Sequence, residues 1–118
     1  MILVVDDDHA MVQTLSNVLT KEGYEVRSAH NGEEAYRHLL DQKCKGMILD
    51  MMMPKRSGFL VLEKLRRTRP VPLRVIMITA NEGSRHKAYA EMLGVDDYIR
   101  KPFAMDRLLG SVSRLLGE

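Results

Sequence analysis

Acidic side chains follow two apolar segments of the chain, and this placement suggests metal and phosphoryl chemistry. Three consecutive aspartates, residues 6–8, come directly after the apolar run Met1–Val5, and Asp50 comes directly after the apolar run Gly46–Leu49. Carboxylates about 4 Å apart repel by roughly 4 kcal/mol at an effective dielectric near 20, so a cluster of them needs a cation. Because all the available ligands are oxygens, they select a hard ion such as Mg²⁺ over Zn²⁺ or Cu²⁺.

A hydroxyl and an ammonium group also directly follow strand-like segments of the chain. Thr79 follows the strand-like run Arg74–Ile78, and Lys101 follows the alternating run Asp97–Arg100. A carboxylate beside Mg²⁺ and a lysine provides the nucleophile, metal clamp and positive charge that acyl phosphate formation needs. Taken singly, each residue has an ordinary structural explanation, such as a helix cap or a strand end. Their joint placement at the ends of four strands favours a common site.

The elements that position these residues alternate between strands and helices. Short apolar or alternating runs predict five strands, and spacings of three and four between apolar residues predict a helix after each. The predicted strands are β1 (Met1–Val5), β2 (Tyr24–Ala29), β3 (Gly46–Leu49, ending at Asp50), β4 (Arg74–Ile78) and β5 (Asp97–Arg100). The apolar stripes of the predicted helices lie in residues 11–19 (α1), 35–40 (α2), 60–65 (α3), 84–93 (α4) and 105–116 (α5).

Strands that alternate with helices predict an α/β fold, a flavodoxin-like doubly wound (βα)5 arrangement around a parallel sheet. The continuously apolar β1, β3 and β4 are expected in the centre and the alternating β2 and β5 at the edges. The order 2-1-3-4-5, one of the common doubly wound arrangements, satisfies this expectation. Right-handed crossovers place all carboxyl ends of the strands on one edge. Locally, Asp7 or Asp8 is expected to cap α1, Gly23 to end it, and Asn31-Gly32 to form a turn.

Composition sets limits on the class of protein. The 118 residues, 45% hydrophobic and 29% charged, predict one domain over 1–118. The single cysteine, Cys44, cannot form an internal disulfide and indicates a reducing compartment, so we expect a cytoplasmic location. No apolar run approaches the length of a bilayer span, and a net charge of +2 does not indicate nucleic acid. We therefore expect no membrane and no direct nucleic-acid partner for this domain.

Four segments carry a resemblance to a known family. They are VVDDD at 4–8, LDMMMPKRSG at 49–58, ITA at 78–80 and YIRKPF at 98–103. In this order and on these strand ends, they make the chain resemble the receiver domain of two-component response regulators over essentially its whole length. The resemblance implies a phosphorylation-controlled switch and not an enzyme with a separate substrate. Its partner would be a sensor histidine kinase or a histidine phosphotransfer protein.

The same resemblance assigns the phosphoacceptor and the metal ligands. It implies that Asp50 accepts the phosphoryl group and that Asp7, Asp50 and the main-chain oxygen of Met52 bind Mg²⁺, while Asp6 acts through water. Met52 stands where many relatives carry a polar side chain. Because a thioether is only a weak hydrogen-bond acceptor, it orients an attacking water poorly, and we expect slow hydrolysis of the acyl phosphate.

The resemblance also assigns the switch. It implies that Thr79 and Lys101 contact the phosphoryl oxygens and that Tyr98 turns inward with Thr79 on activation. The surface of α4, β5 and α5 would then change shape. It could pair two copies of the chain or meet an output partner, and a C-terminal output domain would lie beyond this chain. The motifs do not encode the cognate kinase, the signal or the pathway.

Three other functions fit part of the pattern. A Mg²⁺-dependent hydrolase with an aspartyl-phosphate intermediate would carry its nucleophile on the first strand and need a cap domain. A flavodoxin-type FMN carrier would need a Ser/Thr/Gly loop after β1, where residues 6–8 would repel a phosphate. A degenerate receiver that acts only in docking would lack key side chains, yet all of them are present. We keep the hydrolase and the docking module as alternatives to the receiver.

Overall fold

Five parallel strands form one sheet in the order β2-β1-β3-β4-β5, as the sequence predicts. The structure is a computed structural model that describes residues 1–39, 44–50, 63–64, 73–79 and 84–117. Its strands are β1 (Ile2–Val5), β2 (Val26–Ala29), β3 (Gly46–Asp50), β4 (Arg74–Thr79) and β5 (Asp97–Arg100). Its helices are α1 (His9–Lys21), α2 (Gly32–Leu39), α4 (Ser84–Met92) and α5 (Met105–Leu116). Of the predicted α3, the described residues Glu63 and Lys64 are helical.

The strand register aligns the residues that end the central strands. Val5 of β1 pairs with Leu49 of β3, so Asp6 and Asp50 follow at the same level. Asp50 in turn pairs with Ile78, the residue before Thr79. The carboxyl ends of β1, β3 and β4 therefore meet at one edge of the sheet, which is where ligands of such folds bind.

The core lies on both faces of the sheet because successive side chains of a strand point to opposite sides. The three central strands are buried along their length except at Arg74. On one face, β-strand side chains pack with Val12, Leu15 and Leu19 of α1 and with Leu108 and Val112 of α5. On the other face, they pack with Ala35 and Leu39 of α2 and with Ala90 of α4. This two-sided covering explains the continuous apolar runs of the central strands.

Local signals set the ends of the first two helices. Asp8 is the N-cap of α1, and its Oδ1 accepts hydrogen bonds from the main-chain N–H of Ala10 at 3.0 Å and of Met11 at 3.2 Å. Gly23 follows the helix with φ of +96°, a conformation that glycine adopts without strain.

The prediction of a turn at Asn31-Gly32 is wrong. Gly32 is the first residue of α2, and the Oδ1 of Asn31 accepts the main-chain N–H of Glu34 at 2.9 Å. Asparagine serves helix caps as well as turns, so the local sequence does not distinguish between them. Among the described residues, no helix is long and apolar enough to cross a membrane.

Candidate metal and phosphoryl site

Three carboxylates meet at the carboxyl edge of the sheet. Oxygen atoms of Asp6, Asp7 and Asp50 all lie within 4.8 Å of one another. Asp6 and Asp50 are buried, whereas Asp7 is exposed. This set of hard oxygen donors fits a divalent cation of the Mg²⁺ class. The Met52 oxygen that the sequence analysis adds to this set lies outside the described residues.

The three consecutive aspartates separate into three structural roles. The main-chain N–H of Asp6 donates to the oxygen of Ala29 at 3.2 Å, which continues the pairing of β1 with β2. The Oδ1 of Asp6 accepts the main-chain N–H of Asp8 at 3.0 Å, so the first turn after β1 fixes its side chain. Asp8 caps α1. Asp7, between Asp6 and Asp8, is exposed at the carboxyl edge of the sheet.

Lys101 supplies a positive charge inside this cluster. Its Nζ donates to the Oδ2 of Asp6 at 3.0 Å and lies 3.8 Å from the Oδ2 of Asp50. Its main-chain N–H donates to the oxygen of Thr79 at 2.7 Å, which places the residue directly beyond β5. The ion pair with Asp6 is not apparent in the sequence analysis, which assigns Lys101 to the phosphoryl oxygens.

Thr79 and Tyr98 lie on the neighbouring strands β4 and β5. Thr79 is the last residue of β4 and is fully buried. Tyr98 is half-buried and packs against the core on the α2 and α4 side of the sheet. Burial raises the pKa of Tyr98, and the nearby Thr79 side chain lowers it to a smaller extent. Within the described part of the chain, the buried Tyr98 hydroxyl has no hydrogen-bond partner.

An apolar groove opens directly beside Lys101. It has a volume of about 560 Å³ and runs between the start of α1 and the segment that leads from β5 into α5. It is lined by Asp8, Ala10, Met11, Thr14, Lys101, Pro102, Phe103 and Met105. The groove joins the acidic edge to an apolar surface, so a partner that fills it would approach the carboxylates.

Two further features of the structure were not predicted from the sequence. The rings of His9 and His30 stack with centroids 4.0 Å apart, and the Nδ1 of His30 lies 3.7 Å from Glu34. Asp97, next to Tyr98, binds side chains of α5. The sequence carried a signal for the second feature, since residues 107, 111 and 114 are spaced to lie on one helix face. It carried none for the stack, because the histidines belong to different elements.

Comparisons with known proteins agree with this geometry. The family model of the response regulator receiver domain matches residues 2–113. The chain is 40% identical over 115 residues to the transcriptional regulatory protein CpxR of Klebsiella pneumoniae, a match that covers 98% of this chain and 48% of that protein. It is 37% identical to the response regulator MprA of Mycobacterium ulcerans, covering 98% and 49%. The chain thus spans about half the length of the curated relatives it matches.

Two solved structures are similar in both fold and sequence. The response regulator TrrA of Thermotoga maritima, in complex with Mg²⁺-BeF, superposes with a TM-score of 0.85 and 35% identity over 98% of this chain and 97% of that chain. A response regulator of Burkholderia pseudomallei with a phosphorylated aspartic acid and a calcium ion gives a TM-score of 0.84 and 28% identity over 93% and 64%. With the family model covering nearly the whole chain, the protein belongs to the response regulator receiver domain family, whose members act in two-component signal transduction.

Proposed function

We propose that Asp50 is the phosphoacceptor of this receiver domain and that the residues around it hold the transferred group. The observation that carries the proposal is the meeting of three carboxylates within 4.8 Å, with Lys101 among them, at the edge where parallel sheets bind ligands. Asp50 ends a central strand and is buried, so its carboxylate is held in place by the sheet. A fixed nucleophile lowers the entropic cost of reaching the transition state.

The transfer step uses a carboxylate oxygen of Asp50 as the nucleophile. This oxygen forms a bond to the phosphorus of a phosphohistidine, and the P–N bond breaks with its electron pair returning to the imidazole. Lys101 can contact a phosphoryl oxygen on Asp50 with little movement, since its Nζ already lies 3.8 Å from that carboxylate. The Thr79 hydroxyl on the adjacent strand would contact another oxygen. Because the protein modifies only itself, we class it as a switch and not as an enzyme.

The donor set suits Mg²⁺, which we assign to Asp7, Asp50 and the main-chain oxygen of Met52, with Asp6 acting through water. When bound, the ion supplies positive charge to the phosphoryl oxygens as negative charge develops on them. The exposed Asp7 and the buried Asp50 would each hold the ion through a carboxylate oxygen. The similar protein from Thermotoga maritima, in complex with Mg²⁺-BeF, supports the assignment.

The phosphoryl donor would be a sensor histidine kinase or a histidine phosphotransfer protein. The apolar groove beside Lys101 supports this proposal, because a donor seated there brings its imidazole to the acidic edge. After transfer, the inward position of Tyr98 would be stabilised and the surface of α4, β5 and α5 would change. We propose this surface as the contact for a second copy or for an output domain, and the cytoplasm as the location. Curated relatives about twice as long support an output domain.

Phosphorylation by a small donor tests the proposed function. The protein is incubated with acetyl phosphate and Mg²⁺, and intact mass is measured for the wild type, Asp50→Asn and, as a matched control, the exposed Asp106→Asn. We expect one phosphoryl adduct on the wild type and the control and none on Asp50→Asn. No adduct on the wild type would favour a docking module, and continuous turnover of acetyl phosphate without an adduct would favour a hydrolase. An equal adduct on Asp50→Asn would overturn the assignment of the acceptor.

A further inference from the structure

One carboxylate at the start of β5 gathers an unusual number of donors from α5. The Oδ2 of Asp97 accepts Arg107 Nη1 at 2.8 Å, Ser111 Oγ at 2.6 Å and Arg114 Nη2 at 3.3 Å. Its Oδ1 accepts Arg107 Nη2 at 2.9 Å, so that guanidinium binds with both nitrogens. Paired contacts of this kind are among the strong and directional hydrogen bonds in proteins. Asp97 thereby ties β5 to three successive turns of α5.

The same carboxylate also holds the main chain of Tyr98. The N–H of Tyr98 donates to the Oδ1 of Asp97 at 2.8 Å. β5 is an outermost strand, paired only with β4 within the described sheet. Without this side-chain acceptor, the N–H at the strand edge would need water or another partner. The Asp97 carboxylate thus joins the backbone of Tyr98 to the side chains of α5.

The two residues extend to opposite faces of the sheet. Tyr98 packs against the core on the α2 and α4 side. Ile99, the next residue, packs on the α1 and α5 side, and Asp97 binds α5 on that same side. The strand backbone, together with the Asp97 carboxylate bound to it, therefore connects the Tyr98 side chain on one face to α5 on the other.

We propose that Asp97 is a positioning residue that couples the orientation of Tyr98 to the position of α5. This inference rests on the proposed function, since it supplies the step between the Tyr98 switch and the surface that changes. The cluster can shift because its outer members are accessible: the side chains of Arg107 and Arg114 are 47% and 63% exposed, against 13% for Asp97. A movement of α5 then changes which α5 side chains donate to Asp97. This changes the position of the Asp97 carboxylate and its hydrogen bond to the Tyr98 N–H.

The test follows Tyr98 directly by NMR of protein labelled with 3-fluorotyrosine. The chain has four tyrosines, so the Tyr98 signal is assigned by its loss in Tyr98→Phe. The ratio of inward to outward Tyr98 is measured with and without acetyl phosphate and Mg²⁺ in the wild type and in Asp97→Asn, which keeps the shape but loses the charge. If Asp97 couples Tyr98 to α5, we expect the inward-to-outward ratio in Asp97→Asn to differ from the wild-type ratio by about fivefold or more. A factor of about five is the lower end of typical coupling between sites.

A matched control separates positioning from general stability. Asp96 is also an anchor, because its Oδ1 accepts Arg74 Nη1 at 3.2 Å and its Oδ2 accepts the N–H of Val75 at 2.8 Å. Because these contacts are to β4, whereas those of Asp97 are to Tyr98 and α5, we expect Asp96→Asn to lower the melting temperature without moving the Tyr98 ratio. Arg107→Gln, at a half-exposed position, repeats the test if Asp97→Asn does not fold.

The proposal is overturned if Asp97→Asn and Arg107→Gln leave the Tyr98 ratio as in the wild type, or if Asp96→Asn shifts it equally. Intact mass measured on the same samples keeps the two hypotheses apart. If the wild type takes up no phosphoryl group, the proposed function fails. The Tyr98 ratios of the unphosphorylated variants still decide whether Asp97 positions the residue.

Discussion

The Nζ of Lys101 donates to the Oδ2 of Asp6 at 3.0 Å, across a separation of 95 residues in sequence. Asp6 is buried, so this ion pair is shielded from solvent more than a surface pair would be. Lys101 lies 0.8 Å farther from Asp50, at 3.8 Å. The lysine therefore balances part of the negative charge at the carboxyl edge of the sheet. Its electrostatic attraction is stronger to Asp6 than to Asp50 because Asp6 is closer.

Replacing the phosphoacceptor should stabilise the protein in the absence of metal. Among the described residues, the charged groups close to Asp50 are the carboxylates of Asp6 and Asp7 and the ammonium of Lys101, and we expect repulsion from the two carboxylates to outweigh attraction to the one ammonium. We expect Asp50→Asn to raise the free energy of unfolding by about 1 kcal/mol in EDTA, a fraction of the bare pair repulsion. Urea denaturation measures the change. Mg²⁺ should stabilise the wild type more than the variant, and equal stabilities in EDTA would contradict the repulsion argument.

Removing the lysine should have the opposite effect. Lys101→Met leaves the buried Asp6 without its cation, and we expect a loss of about 2 kcal/mol in the absence of metal. The exposed Lys87→Met on α4 serves as the control and should be nearly neutral. In the Lys101→Met background, Asp50→Asn should stabilise more than it does alone, because the repulsion is no longer offset. Strict additivity of the two changes would show that Lys101 and Asp50 do not interact.

The Tyr98 hydroxyl offers a test of burial. In the described part of the chain the buried Tyr98 hydroxyl has no hydrogen-bond partner, and removing such a group relieves a desolvation cost. We therefore expect Tyr98→Phe to raise the free energy of unfolding by about 0.5–1 kcal/mol. The half-buried Tyr24→Phe is the matched control, with a change within about 0.5 kcal/mol of zero. A clear destabilisation by Tyr98→Phe alone would mean that the hydroxyl is bonded in solution.

The Asp97 cluster predicts a pH dependence with a definite sign. Hydrogen bonds from Arg107 hold the pKa of Asp97 well below its ordinary value of 3.8. A lowered folded-state pKa stabilises the native protein above the unfolded-state pKa, and this stabilisation is lost as pH falls. The free energy of unfolding of the wild type should thus exceed that of Asp97→Asn by a constant amount, about 1–2 kcal/mol, from pH 7 to about pH 5. Denaturation curves should show the gap closing below about pH 3.8, and a gap that widens there would contradict the shift.

The lifetime of the acyl phosphate tests the side chain of Met52, which lies outside the described residues. A thioether orients water poorly, so Met52→Asn should shorten the half-life of the phosphorylated protein. Loss of the adduct is followed by intact mass after the phosphoryl donor is removed. An unchanged half-life would remove this explanation, and Met53→Asn, one position along, controls for a general effect of the amide.

The sequence by itself determined the order of strands and helices and the edge at which the acidic residues meet. Hydrophobic periodicity is a local property, and the contrast between continuously apolar and alternating strands separates the central strands from the edge strands. The order 2-1-3-4-5 is a common doubly wound arrangement that satisfies this division. With β1 and β3 as central neighbours, the register of the structure places Asp6 and Asp50 at the same level. The error at Asn31-Gly32 shows the limit of local signals, since the same residue pair suits a turn or a helix start.

Only the tertiary structure decided which partner each charged group takes. The pairing of Lys101 with Asp6, the binding of Arg107 to Asp97 and the stacking of His9 on His30 depend on side-chain rotamers and on how helices sit against the sheet. None of these contacts is fixed by hydrophobic periodicity, because each joins side chains of different elements. The packing of the segments brings these side chains together, and the position of Lys101 between Asp6 and Asp50 sets part of the charge balance around Asp50.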